Sequence, residues 1–332
     1  MSRMDRSGNP RVSRRQVLGA GLAAPFVARA GLVMGGATAG LPLVAPGARA
    51  ADAAHSLTLG DTRLTVLSDG ALVLPASTLA ANVGEEERGA FLTAAGFDSA
   101  VRHSALNITL IRKGDALILI DTGAGMNFFA EAGQLADSFD EAGLDREAVT
   151  HVVLTHGHPD HVWGVIDDFD ESERFPNAEY LMGAVEWDFW MDPDFLANNP
   201  EQIHSFALGA QRNLGAVAEK VTRVDADHAV VSGVTMIATP GHTPGHMSVL
   251  VEDGGEQLVV TGDALTHPAV SFERPDWQPS TDQVPEVAVK TRRALLDRAA
   301  SDGLLLIGYH LPWPGVGRVE ARGNAWRYIA EG

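Results

Sequence analysis

The sequence predicts an α/β fold of the α+β kind, a four-layer αββα sandwich in which two sheets lie between helices. From about residue 55 onward, strand-like and helix-like hydrophobic patterns alternate. The two halves of this region resemble each other, since each has hairpins, then a loop with histidine or aspartate, then helices. No linker rich in Pro, Ser or Gly divides it, so we expect one domain over residues 51–332.

Short apolar segments between turn residues predict the strands. Gly60-Asp61 and Lys113-Gly114-Asp115 each separate two such segments, as in a β-hairpin, and Gly254-Gly255 marks a third turn. The predicted strands cover residues 57–59, 63–67, 107–111, 116–120, 151–154, 221–224, 234–238, 248–251, 257–260 and 304–307. Apolar residues at helical spacing predict helices over residues 128–142, 201–219 and 284–300.

The composition excludes several classes of function. The chain has 332 residues, with 25 Lys and Arg against 43 Asp and Glu and a formal net charge of -18. This balance argues against nucleic acid as a partner, because phosphate binding needs basic surface. The absence of cysteine from the sequence excludes disulfides, thiolate metal sites, iron–sulfur clusters and a cysteine nucleophile.

Residues 1–50 have the features of an export signal. Arg14-Arg15 precede a mildly apolar stretch that ends in Ala48-Arg49-Ala50, a small-x-small cleavage pattern. The paired arginines resemble a twin-arginine signal. Proline and glycine interrupt the stretch, which disfavours the alternative, a membrane anchor. We therefore expect cleavage, export to the periplasm or the extracellular space, and no stable membrane insertion afterwards.

Three histidines lie within six residues in the segment Thr155-His156-Gly157-His158-Pro159-Asp160-His161, directly after a predicted buried strand. In an extended segment, His156 and His158 point the same way. Pro159 suits the first position of a helix, so Asp160 and His161 would lie on the first helical turn. This arrangement can supply ligands to two metal ions from one short segment.

Three further motifs follow in order along the chain. They are Pro240-Gly241-His242-Thr243-Pro244-Gly245-His246, Thr261-Gly262-Asp263 and Gly308-Tyr309-His310. Taken together, the motifs resemble those of the metallo-β-lactamase superfamily, and the resemblance covers residues from about 55 to 330. It implies the four-layer sandwich of the metallo-β-lactamase type and a metal-dependent hydrolase that acts on ester-type bonds.

The resemblance also implies seven metal ligands in two sets that share one carboxylate. The sets are His156, His158 and His242 for one metal, Asp160, His161 and His310 for the other, and Asp263 bridging both. Asp121 matches a motif whose aspartate braces the site from outside the ligand set, and His246 is a second residue expected behind the ligands. Imidazole and carboxylate ligands suit two Zn²⁺ ions, with iron, manganese or cobalt as alternatives.

The mechanism expected from this site is attack by a hydroxide that bridges the two metals on a carbonyl carbon or a phosphorus atom. One metal would polarise the oxygen under attack and the other would stabilise the leaving oxygen. Asp160 and Asp263 are the candidate catalytic residues, with Asp160 as a proton carrier. The substrate class is small neutral esters, lactones or phosphotriesters.

Within the superfamily, the chain most resembles the methyl parathion hydrolase branch and next the quorum-quenching lactonases. The spacing of the metal motifs and the ending that starts at His310 carry this resemblance. N-acyl homoserine lactonases carry a tyrosine three residues after the bridging aspartate, where this chain has Thr266. An N-acyl homoserine lactonase, a thioesterase and a non-catalytic metal-binding protein therefore remain the alternatives.

Five residues are candidates for the wall of the substrate pocket because they are aromatic or lie close to ligands. They are Trp187, Trp190, Thr266, His267 and Trp313. For the aromatic stretch around Trp187, a pocket wall, a dimer contact and the core are all open. A homodimer is an expectation that rests on the resemblance alone.

Overall fold

The computed structural model describes residues 54–331. Two seven-stranded sheets form its centre, and each comes from one half of the chain. The strands of the first sheet, in spatial order, are β1 Ala54–Leu59, β2 Thr62–Pro75, β3 Val101–Lys113, β4 Ala116–Ile120, β5 His151–Leu154, β6 Glu179–Gly183 and β7 Val221–Val224. Those of the second are β14 Ala325–Ala330, β13 Val316–Arg322, β12 Leu305–Ile307, β11 Glu256–Val260, β10 Met247–Asp253, β9 Val234–Ala238 and β8 His228–Val231.

The helices lie in the connections between strands. They are α1 Glu85–Ala94, α2 Leu135–Glu141, α3 Pro159–Val162, α4 Ala184–Trp190, α5 Phe195–Asn198, α6 His204–Ala216, α7 Val270–Glu273 and α8 Pro285–Asp302. No helix among the described residues is both long and apolar enough to span a bilayer. The predicted export signal lies outside the described residues, so export stays a prediction.

Alternation along the strands produces the layers, because successive side chains point to opposite faces of a sheet. In β4, Ile118 and Ile120 pack between the two sheets, whereas Leu119 packs toward Phe139 of α2. On the far side of the second sheet, Val259 packs against apolar residues of α8. This is the predicted αββα sandwich.

Two predicted helices have different limits in the structure. The segment predicted as one helix over residues 128–142 is helical only from Leu135, because Gly133 has a φ of 81° and Ala132 pairs with Gly70. The segment predicted over residues 201–219 contains α6, with single 3₁₀ turns before and after it. Helix α8 matches the prediction closely.

Several strands that end next to the candidate ligands run parallel to their neighbours in the sheet. β4, β5, β6 and β7 are parallel to one another, and so are β11 and β12. Carboxyl ends of parallel strands meet at one edge of a sheet, and the loops that leave that edge are where functional residues collect. Three of the four metal motifs follow β5, β11 and β12, and the fourth lies in the turn after β9, so the topology places all four at strand ends.

Asn107 of β3 holds the segment that follows β12. Its buried Nδ2 donates hydrogen bonds to the carbonyl oxygens of Gly308, at 2.9 Å, and Leu311, at 2.7 Å. Its backbone N–H donates to the carbonyl of Tyr309. One side chain of the first sheet thus fixes the loop of the second sheet that carries His310.

Replacing Asn107 with Ala should therefore lower the free energy of unfolding by about 2 to 4 kcal/mol, because the buried carbonyl groups of Gly308 and Leu311 each lose a hydrogen bond. Urea unfolding at equilibrium measures the change. The matched control is Asn177→Ala, which removes one hydrogen bond to the Glu147 carbonyl in an exposed position and should cost under about 1 kcal/mol. Equal, small losses in both variants would contradict the role given to Asn107.

Candidate metal centre

The seven predicted ligands converge from four segments of the chain. His156 and His158 lie in the loop after β5, and Asp160 and His161 lie on the single turn of α3 that Pro159 begins, as the sequence predicts. The other three come from the second half: His242 from the β9–β10 turn, Asp263 from a 3₁₀ turn after β11, and His310 from the loop after β12. All seven are buried.

The first ligand set consists of three ring nitrogens. Nε2 of His156 lies 3.0 Å from Nδ1 of His158, which lies 2.9 Å from Nε2 of His242. Burial lowers the pKa of both His156 and His158 well below the usual value, and the neighbouring histidines add to the effect. Both rings are therefore neutral, so each can offer a lone pair to a cation.

The second set surrounds the carboxylate of Asp160. Its Oδ2 lies 3.6 Å from Nε2 of His161 and 3.3 Å from Nε2 of His310. Burial would raise the pKa of Asp160, but His161 and His310 outweigh burial and lower it. Burial likewise opposes charging of His310, yet Asp263 and Asp160 raise its pKa to about 9.

Asp263 lies between the two sets. Its Oδ1 is 3.3 Å from Nε2 of His161, and its Oδ2 is 3.2 Å from Nε2 of both His242 and His310. Burial opposes its ionisation, but His310 and His161 more than offset this effect and hold its pKa well below the usual range. Asp263 is therefore an ionised carboxylate in contact with ligands from both sets.

The donor atoms fit divalent cations. The Oδ2 of Asp160, the Nε2 of His161 and the Oδ1 of Asp263 are buried and have no hydrogen-bond partner among the described residues. Buried polar atoms without partners are costly, and a cation would satisfy all three. Ligands at zinc–nitrogen distances in a tetrahedron lie about 3.3 Å apart, close to the separations found here.

Asp121 and His246, the two residues predicted to lie behind the candidate ligands, each form hydrogen bonds with a candidate ligand or its neighbour. Asp121 accepts hydrogen bonds from the backbone N–H and hydroxyl of Thr155, at 2.7 and 2.8 Å, and lies 2.8 Å from Nδ1 of His161. His246 accepts from the backbone N–H of Asp263 at 3.0 Å. Burial lowers the pKa of His246 to about 3, so it is the neutral ring that this contact needs.

Sequence reasoning missed three residues that position ligands. Asp282 lies 3.0 Å from Nδ1 of His242 and also pairs with Arg292 at 2.9 Å. The hydroxyl of Tyr309 donates to the carbonyl of Asp160. The buried carboxylate of Glu186 accepts from both ligand-bearing loops. Such partners fix the orientation of ligands. Asp282 belongs to none of the metal motifs, and Tyr309, although it lies in the Gly308-Tyr309-His310 motif, contacts a residue far away in the chain.

A cavity of about 680 Å³ opens onto the ligands. Its base includes Asp160, Asp263 and His310, whereas its walls are largely apolar. The apolar and aromatic lining residues include Leu72, Leu74, Phe128, Phe129, Phe189, Ile203 and Phe206. A volume of this size accommodates a small organic substrate.

The five predicted pocket residues do not line this cavity. Trp190 is fully buried, stacks on Phe195 and donates its Nε1–H to Glu186, so it belongs to the core. Its neighbour Phe189 faces the cavity instead. Trp187 packs against the same core.

The other three are also absent from the cavity lining. The backbone N–H of Thr266 donates to Ser271. The Nδ1 of His267 accepts from the backbone of Ala269 and Val270. Trp313 packs against the core between the sheets. Nearness to a candidate ligand in sequence therefore did not place a residue in the cavity wall.

The family model of the metallo-beta-lactamase superfamily matches residues 103–310, which is more than half of the chain. The chain belongs to the metallo-beta-lactamase superfamily. This confirms the predicted family and fold. The superfamily implies divalent metal ions, usually zinc.

Sequence relatives include the probable metallo-hydrolase Rv2300c of Mycobacterium tuberculosis, 26% identical over 192 residues that cover 48% of this chain and 57% of that protein. The N-acyl homoserine lactonase AttM of Agrobacterium fabrum is 30% identical over 138 residues, covering 39% of this chain and 46% of that protein. The chain thus spans about half the length of these relatives.

Two solved structures are similar over nearly their full length. One is AidC, a dizinc quorum-quenching lactonase in complex with a product, with a TM-score of 0.79, 29% identity and coverage of 84% of this chain and 97% of that one. The other is the hydrolase AbOPH, with a TM-score of 0.79, 27% identity and coverage of 86% and 99%. These neighbours support the predicted metal-dependent hydrolase.

The contact between Asp282 and His242 should control metal affinity. Replacing Asp282 with Asn removes the charge that orients His242 and places an amide against Arg292. Zinc affinity at the first ligand set should fall by about 10- to 100-fold. Titration with a competing chelator measures it. Asp276→Asn, which weakens an exposed pair with Arg293, is the control and should leave affinity unchanged; a similar loss in both variants would contradict the assignment.

Proposed function

We propose that this protein is a dinuclear metal-dependent hydrolase of ester-type bonds. The observation that carries the proposal is the pair of ligand sets that share Asp263 at the base of an apolar cavity. His156, His158 and His242 would hold one ion. Asp160, His161 and His310 would hold the other, with Asp263 between them.

Zinc is the ion that we propose for both positions, because the donors are imidazole and carboxylate without thiolate. Two bound divalent ions polarise a carbonyl or phosphoryl oxygen and make hydroxide available near neutral pH. The chain's own groups hold and orient the reacting atoms. Asp160 lines the cavity and is ionised, so its carboxylate is the group placed to take up a proton there.

The walls of the cavity favour a small ester or lactone with an apolar portion. Phe128, Phe129 and Phe206 form an aromatic side that can cover an acyl or aryl group. A lactone substrate is the more specific proposal, supported by the similarity to AidC and to AttM. N-acyl homoserine lactones are therefore the first lactones to test, although Thr266 stands where such lactonases carry tyrosine.

The test combines metal analysis with a substrate panel, using the protein from residue 51 onward. We expect two equivalents of zinc per chain and turnover that a chelator abolishes. The panel contains an aryl ester, an N-acyl homoserine lactone, methyl parathion and a cephalosporin, and the first three should be hydrolysed. Zinc binding with no hydrolysis of any of them would refute the proposal in favour of a binding role.

A substitution of Asp263 tests whether this carboxylate is shared by both ions. Asp263→Ala should lose one of the two zinc ions and lower turnover by at least about 100-fold, since it removes a ligand of both. Asp297→Ala, an exposed position on α8, is the matched control and should keep both ions and full activity. Retention of both ions by the Asp263 variant would exclude a bridging role.

We also propose that the chain is exported and that the signal at residues 1–50 is removed. The basis is the paired Arg14-Arg15 and the Ala48-Arg49-Ala50 pattern in the sequence. Intact mass of the protein recovered from the native periplasm or medium should correspond to a chain that begins near residue 51. Recovery of the full chain from the cytoplasm would refute export. A homodimer remains a prediction.

A further inference from the structure

The guanidinium of Arg102 is a buried positive charge that forms no ion pair with any of residues 54–331. Arg102 is only 6% exposed. Its Nε and Nη1 are buried and donate no hydrogen bond within the described part of the chain. An unpaired buried charge is among the most costly features of a protein interior, so a group that persists in this state needs a compensating anion.

Arg102 lies on the wall of the cavity beside the candidate metal centre. It lines the same cavity as Asp160, Asp263 and His310. Strand pairing fixes its position: Arg102 pairs with Leu74 of β2, and the carbonyl of Ala105 on the same strand accepts from His310. The side chain is therefore held close to the reacting region by the first sheet itself.

The charges around Arg102 do not neutralise it. Burial lowers its pKa, and the carboxylates of Asp263 and Asp160 offset part of this effect. Neither carboxylate, however, contacts the guanidinium, and both are candidate metal ligands. The positive charge of two divalent ions would be twice as large as the negative charge of these two carboxylates. The positive charge of Arg102 adds to that excess. The occupied cavity would thus be strongly positive at its base.

We propose that Arg102 determines substrate specificity by binding an anionic oxygen group, a carboxylate, that the substrate carries close to its scissile ester or lactone bond. A guanidinium presents a planar pair of N–H donors that matches a carboxylate. The rest of the substrate lies along the apolar wall that begins at Leu72 and Leu74. This inference rests on the proposed hydrolase function and departs from the expectation of a neutral substrate, which took no account of Arg102.

A pair of lactones of the same shape tests the proposal. One is γ-butyrolactone with a carboxylate on its γ-carbon, and the other bears a carboxamide there. For the zinc-loaded wild type, kcat/KM should be at least about tenfold higher for the carboxylate. Arg102→Met should lower kcat/KM for the carboxylate by about 10- to 100-fold, the range for a charged hydrogen-bonded contact. It should change kcat/KM for the carboxamide by less than about threefold.

Arg102→Lys keeps the charge but not the planar pair of donors, so its carboxylate preference should lie between those of wild type and Arg102→Met. This variant also serves if Arg102→Met does not fold. Zinc content and circular dichroism verify that each variant is intact. An equal loss on both lactones, or no loss on either, would overturn the proposal, because Arg102 would then act on a shared feature or on none.

Calorimetry provides a readout that does not depend on turnover. Glutarate should bind the zinc-loaded wild type at least about tenfold more tightly than its monoamide, and Arg102→Met should abolish the difference. Failure of the wild type to hydrolyse any ester or lactone would count against the proposed function alone. Equal binding of glutarate and its monoamide would count against the role of Arg102 alone.

Discussion

The buried carboxylate of Glu186 fixes the distance between the two loops that supply the first ligand set. It accepts hydrogen bonds from the backbone of Gly157 in the first loop and from Thr243 and Gly245 in the second. Burial raises its pKa, and these donors together with Trp190 counteract that effect. Glu186 thus ties the loop of His156 and His158 to the loop of His242. A Cβ at Gly157 would lie 2.4 Å from Trp190, so only glycine permits the approach.

The convergence of the candidate ligands was predictable because each of them belongs to a short motif at the end of a strand. His156 and His158 follow β5 directly, and Pro159 begins a helix as its fixed φ favours. Parallel strands then bring these ends to common edges without any side-chain information. Local pattern and topology agree at these positions, which is why the fold and the convergence of the ligands followed from the sequence.

Several groups that surround the candidate ligands were not predictable, because they belong to no short motif at a strand end. Glu186 and Asp282 act through contacts with residues far away in the chain, and no periodic pattern marks these two residues or Arg102. The predicted start of the helix at Phe128 was wrong for a similar reason. The positive φ of Gly133 and the pairing of Ala132 with Gly70 interrupt the helical spacing, and the helix begins only after them. Tertiary contacts decide such segments, whereas hydrophobic spacing reports only which face is apolar.

The walls and the base of the cavity come from different parts of the chain. Phe128 and Phe129 lie in the connection between β4 and β5, and Phe206 lies in the first turn of α6, whereas the candidate ligands lie at strand ends held by buried carboxylates. Most wall side chains can therefore be exchanged without replacing a candidate ligand, although Phe206 packs against His158. Proteins with this fold can therefore evolve new substrate specificities through changes in their loops, while the residues of the centre stay the same. This separation explains how one fold can support many reactions.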